Sequence, residues 1–299
     1  MKTSTLLLLL LLLPAAAYAQ GRRGPGGPGG RQPDGLAVIS SFSGRENFDS
    51  RSAGLSGSFA LGKAGAYAFS GSAGLTHHRT WTRGPFPGEL YDADLGLKAA
   101  GPKWSFGAGA RSNSDRPYAS VHETDLHFDA STTLRRSGPH TLLFGVNYSS
   151  QRSFLKGLPF PYLAYSYVNE KIQLFLPFSL RWKLSEKSEL AAAYLPPKYF
   201  NLSLTRKVSE AVALSLSGGV RLNQYLLAGR PDEDQILFLE RPYAEFKVSV
   251  TPRGWPELAV TAGHGFEGRY FSGRQYDEHH GEVDVKGGPA AGVSARLPF

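Results

Sequence analysis

The sequence predicts an all-β fold, an antiparallel up-and-down transmembrane β-barrel of about 14 strands, from three observations. Apolar residues recur at every second position through most of the chain, several alternating segments are long, and an export-type segment precedes them. A period of two marks a strand with two unlike faces. Strands of soluble sheets average about 5–6 residues, whereas a tilted strand crossing a bilayer needs about 9–11.

The first element is the export segment, 1–19. Lys2 supplies the positive start, Leu6–Leu13 the apolar run, Pro14 its end, and Ala17-Tyr18-Ala19 a small-x-small site that predicts cleavage before Gln20. The run is too short to span a bilayer as a helix, which takes about 20 residues. Residues 20–35 are rich in Gly, Pro and Arg and cannot bury apolar surface, so a disordered periplasmic tail is expected there. The barrel is expected over 36–299.

Composition narrows the chemistry. The 299 residues include no Cys, which removes disulfides, thiolate chemistry and the acylated Cys of a lipoprotein. The net charge of +8 raises a nucleic-acid partner. Arg22, Arg23 and Arg31 lie in the tail, however, and no basic cluster with interleaved aromatics follows, so no nucleic-acid partner is expected.

Next come the strands. Leu126, Phe128, Ala130 and Leu134 alternate with Asp125, His127, Asp129 and Arg135. Leu214, Leu216, Val220 and Leu222 alternate with Ser215, Ser217, Arg221 and Asn223, and Ala244, Phe246 and Val248 with Glu245, Lys247 and Ser249. Leu258, Val260 and Ala262 alternate with Glu257, Thr261 and Gly263. Asp125–Arg135, Lys171–Lys183 and Ala211–Asn223 have transmembrane length. Short Gly/Pro/Ser-rich turns occur at Gly62–Gly65, Ala100–Pro102, Ser137–Pro139, Asn169–Glu170, Lys207–Glu210 and Thr251–Pro256, with longer polar stretches between them. Short turns at one end and long loops at the other fit the periplasmic and extracellular ends of an outer-membrane barrel. Counting back from Phe299 gives about 14 strands, and 12 satisfies the same even-number rule. A turn at Ser185–Ser188 followed by a short strand with Leu190, Ala192 and Tyr194 disturbs the count: either it is loop, or the first segment, Leu36–Ser43, lies outside the wall.

The chain ends in Val293, Ala295, Leu297 and Phe299, alternating with Ser294 and Arg296. A terminal strand with one apolar face and a carboxy-terminal aromatic is similar to the signal read by the outer-membrane assembly machinery. Tyr67, Phe69, Tyr91, Trp104, Tyr165, Tyr167, Trp182, Tyr199, Tyr225, Trp255 and Tyr270 fall near strand ends, where bilayer-interface girdles form. From Leu36 to Phe299, with AYA-Q at the cleavage site, LLFGVNYSS, PYLAYSYV and the terminal VSARLPF, the chain resembles small outer-membrane β-barrel proteins of Gram-negative, Bacteroidetes-type bacteria. The resemblance implies a fold and a compartment, the cell outer membrane. It carries no catalytic motif.

A closed sheet pairs every backbone group in hydrocarbon, and lipid solvates its apolar face. The other face then lines a lumen, for which the candidates are Asp125, His127, Asp129, Arg135, Arg181, Arg221, Glu245, Lys247, Glu257, Arg269 and Arg296. Asp125, His127 and Asp129 could also work as an acid–base cluster, and Asp277–His280 could hold a metal, but neither has a standard motif. No catalytic residue, metal or cofactor is therefore expected. The functional expectation is a non-enzymatic channel for ions or small solutes, with a basic excess in the lumen favouring anions. A plugged structural or surface-interaction barrel, a membrane-embedded hydrolase using His127 or His264, and a soluble β-sandwich or calycin-like fold stay open as alternatives. The expected partners are outer-membrane lipid and the assembly machinery; none of these patterns encodes the oligomeric state.

Overall fold

The computed structural model describes residues 35–152, 156–195 and 199–298. The export segment, nearly all of the tail and Phe299 thus lie outside the described residues. The strands, in chain order, are β1 (Gly35–Ser43), β2 (Phe48–Ala64), β3 (Tyr67–Thr82), β4 (Glu89–Ala100), β5 (Trp104–Ser114) and β6 (Asp125–Ser137). Then come β7 (His140–Ser149), β8 (Phe160–Val168), β9 (Ile172–Leu176), β10 (Ser179–Lys183), β11 (Ser188–Leu195) and β12 (Tyr199–Lys207). The remainder are β13 (Val212–Tyr225), β14 (Ile236–Val250), β15 (Glu257–Gly265), β16 (Gly268–Gly273), β17 (His280–Val285) and β18 (Gly288–Pro298). Each is antiparallel to its neighbours, and β1 pairs with both β2 and β18, so the sheet closes on itself.

Sixteen strands form the ring: β1 to β15 in order, then β18. β16 and β17 stand above it, continuing β15 and β18 beyond two-residue interruptions at 266–267 and 286–287 and pairing with each other. The count of about 14, or 12, is therefore corrected to 16. Lys171–Lys183 is not one long strand. Pro177 has no N–H to donate to a ladder, and the chain reverses there into a hairpin of two five-residue strands, β9 and β10. Phe178 at its tip turns inward and packs against Phe175 and Tyr199. With that segment counted as two strands, both Ser188–Leu195 and Gly35–Ser43 belong to the wall, and the parity closes.

The two faces differ as alternation requires. Outward on successive strands stand Val38, Leu55, Leu75, Leu95, Leu126, Phe144, Leu163, Leu202, Leu216, Phe246, Val260 and Val293, all exposed. The inward face is mostly Ser, Gly, Thr and charge. The turns 65–66, 101–103, 138–139, 169–171, 184–187, 208–211 and 251–256 share one end of the barrel, with both described termini, and the other end carries the long loops together with the short links 44–47 and 177–178. Trp104, Trp182 and Trp255 are exposed at the turn end. Tyr225 and Tyr270 instead join a buried core inside the loop-end mouth with Phe48, Phe86, Leu90, Leu237, Leu239 and Val285. Phe86, on the β3–β4 loop, stands 5.0 Å from the rings of both Phe48 and Tyr270.

Candidate channel constriction

The lumen is narrowest toward the loop end, for reasons of ring geometry. β5 and β13 are eight positions apart in a ring of sixteen, hence opposite one another. Their loop ends nevertheless meet. Leu226 N–H donates to Asn113 O at 2.8 Å, Asn113 Nδ2 donates to Gln224 O at 3.3 Å, and Ala228 N–H donates to Asp115 Oδ1 at 2.7 Å. The barrel is pinched across its diameter. Loop contacts extend the clasp: Arg230 donates to His122 O at 2.8 Å, Lys156 pairs with Asp234 at 2.7 Å, and Arg274 pairs with Asp232 at 2.8 Å. Backbone and side-chain donors hold the Asp232 carboxyl below its ordinary value, Asp234 N–H first and Arg274 next. The hydrogen bond from Lys156 does the same for Asp234.

Below the pinch the lumen carries two charged walls. On β3–β6, His78 Nε2–H donates to Asp92 Oδ2 at 2.8 Å, and Arg111 Nη2 donates to Asp125 Oδ2 at 2.6 Å. Asp94 faces the lumen in register with Arg111. Asp129 accepts from Tyr162 Oη at 3.0 Å. Tyr162 lies across Gly145, its partner on β7, where any Cβ would collide with the ring. His127 shares this wall, and its Nδ1 has no partner among the described residues.

The facing wall is basic. Arg221 and Arg241 stand directly opposite each other on β13 and β14. Arg221 lies 3.7 Å over the Tyr243 ring and donates to Glu245 at 2.6 Å, while Arg241 donates to Asn223 Oδ1 at 3.2 Å and its Nε has no partner among the described residues. Arg45, from the β1–β2 loop, reaches over Gly265 to Phe266 O and Lys286 O, 3.1 Å from each. Burial, and then the nearby Arg241, lower its pKa to about 10. Below the loop clasp, the pairs His78–Asp92, Arg111–Asp125 and Arg221–Glu245 are each made along a wall, so the acidic and basic sides remain opposed across the lumen.

The sequence candidates distribute as follows. Asp125, His127, Asp129, Arg221 and Glu245 come together at this constriction, with Lys247 one layer nearer the turn end, opposite Ser215 and Thr261. Arg181 lies on the inward face near the turn end, 3.3 Å from Glu189, and Glu257 and Arg296 face each other there. Arg135 and Arg269 are corrections. A one-residue bulge at Leu134 puts Arg135 opposite the outward Leu142, and the interruption at Phe266-Glu267 puts Arg269 opposite the outward Glu240. One added residue exchanges the two faces of a strand. Sequence reading passed over Arg45 and placed the pair His77-His78 in a loop, whereas both histidines stand on β3. Arg45 carries no local signal, but His78 alternates with His77 on a strand rather than lying in a loop, and that alternation could have revealed it. His264 faces outward beside Phe266. Of the Asp277–His280 group, Glu278 accepts from Arg274 N and His279 pairs with Glu282; no metal-ligand cluster is found among the described residues.

No family model and no curated protein matches the chain. Solved structures do. The chain is similar to the COG4313 outer membrane channel from Pseudomonas putida F1, at 10% identity and a TM-score of 0.43, over 93% of this chain and 100% of that one. It is similar to OpdQ of Pseudomonas aeruginosa, at 10% identity and 0.38, over 89% and 99%. It is also similar to the beta domain of the Bordetella autotransporter BrkA, at 8% identity and 0.35, over 90% and 100%.

Proposed function

We propose that this chain is a Gram-negative outer-membrane barrel acting as a narrow, non-enzymatic channel for ions or small solutes, with a preference for anions. The outward apolar band supports the membrane reading, because a closed ring leaves that band no second sheet to pack on and hydrocarbon solvates it. Outer-membrane lipid and the assembly machinery are then its partners. Val293, Ala295 and Leu297 share the outward face of β18 for that purpose. The observation that carries the channel reading is the pair of opposed charged walls below the apolar mouth core, in a lumen whose inward face is mostly Ser, Gly and Thr. Opposed ladders of this kind line pores, and Arg45, Arg221 and Arg241 supply the basic side.

The test is recording in planar bilayers from the full chain. Discrete conductance steps with a reversal potential on the anion side are expected, and Arg241→Gln moves that potential toward cations. Cation selectivity in the wild type, or no conductance, overturns the proposal. A second reading, a plugged structural or surface-interaction barrel, draws on the mouth core and the β5–β13 bonds, and absence of conductance is its expected result. The hydrolase reading draws no such support: His127 and His264 lie on opposite faces of the wall, and neither is bonded to a serine among the described residues.

A further inference from the structure

The outward face of β1–β3 carries charge just where its apolar band ends. Phe42, Arg51 and Arg79 form one row across the three strands, each opposite the next. Four residues nearer the turn end, on the same faces, stand the exposed Val38, Leu55 and Leu75. At 3.3 Å per residue that is roughly 13 Å along the strands, so the guanidiniums sit at the loop-end border of the band.

Trp81 gathers both of them. The Arg51 and Arg79 guanidinium carbons each lie 5.3 Å from its ring centroid, and that of Arg51 is 5.8 Å from the Phe42 ring. Ring faces attract each cation, but two cations on one ring repel one another. No carboxylate is paired with either among the described residues. Glu89 stands opposite Arg79 in register without an ion pair, and Asp49, the other acid of this face, accepts from Arg45 N–H at 2.8 Å. One row toward the turn end, His77 stacks on Tyr91 at 4.8 Å and widens the aromatic floor.

We propose that Arg51, Arg79 and Trp81 form a binding site for the phosphate of a phosphorylated lipid in the outer leaflet, the occupant whose charge lies at this height on the wall. The proposal rests on the membrane reading above. A guanidinium fork matches phosphate oxygens bidentately, and an indole suits the interface between headgroups and acyl chains. Two forks held on one ring, each 5.3 Å from its centroid, put two sets of donors beside a single anion.

The experiment is native mass spectrometry of the detergent-purified full chain titrated with three probes: bisphosphorylated lipid A, the same lipid with its phosphates removed, and inorganic phosphate. Retention of the phosphorylated lipid is expected, weakened about tenfold or more in the double variant Arg51→Gln, Arg79→Gln, by the scale of charge-assisted bonds. Arg206→Gln, on the exposed rim of β12 at the turn end, leaves retention unchanged. Equal retention by the double variant, or of the dephosphorylated lipid, overturns the site. Equally tight retention of inorganic phosphate alone overturns the lipid source. Heat-modifiable gel migration, measured first, shows that each variant folds. Failure of the wild type to insert into vesicles would refute the membrane reading itself, and that result is separate from an inserted barrel that ignores the phosphate.

Discussion

Asp125 is the carboxylate on which the loop end of β5, β6 and β7 converges. Its Oδ2 accepts from Arg111 at 2.6 Å, and its Oδ1 from Ser149 Oγ at 2.7 Å and Gln151 N–H at 3.0 Å. It is 4% exposed, and the Arg111 side chain 13%. In Asp125→Ala the guanidinium loses this carboxylate in a narrow space, with Asp94 left as its register neighbour, and the neutral donors Ser149, Ser150 and Gln151 lose their acceptor. Breaking a buried pair costs about 3–5 kcal/mol and each neutral bond about 1 kcal/mol. Water in the lumen re-solvates part of the freed charge, so a net loss of about 3 kcal/mol is expected. In Arg111→Leu the carboxylate keeps its other donors, and about 2 kcal/mol is expected. The double variant leaves no stranded charge and should lose less than the sum of the two by about 2 kcal/mol. Reversible urea unfolding from lipid vesicles, followed by tryptophan fluorescence, measures all three. A loss below about 1 kcal/mol in Asp125→Ala, or strict additivity in the double variant, would refute the view that this pair is coupled and desolvated.

Two further outcomes follow from the mouth. Asp115→Ala combined with Asn113→Ala removes the side-chain bonds that draw β13 toward β5, and single-channel conductance should rise; an unchanged conductance shows that these bonds do not narrow the path. The clasp is also acid-sensitive. Asp232 and Asp234 have folded pKa values lowered below the ordinary 3.8, so their contribution is present above that value and is lost as pH falls through the lowered ones. Amide protection in residues 226–235, corrected for the intrinsic exchange rate at each pH, should therefore be high at neutral pH and lower near pH 2. Equal protection at the two values would rule out a carboxylate clasp.

The alternating pattern of the chain was enough to tell which face of most strands points inward, because side-chain direction has a fixed period and that period is a local property. It placed Asp125, His127, Asp129, Arg221, Glu245 and Lys247 on the inward side without any knowledge of the closure. It also separated the end of short turns from the end of long loops. The same rule failed at Arg135 and Arg269, where one extra residue reverses the phase and nothing in the composition announces it. It failed in the strand count as well, since Ile172–Lys183 alternates smoothly through the point where Pro177 and the inward-turned Phe178 fold it into a hairpin. No pattern in the chain foretold that β5 and β13 meet across the mouth, that Tyr225 and Tyr270 fill it instead of joining a girdle, or that Arg45 crosses to the breaks beside β16 and β17. Those contacts join residues more than a hundred positions apart, and they exist because closing sixteen strands brings opposite walls within reach, which no local pattern encodes.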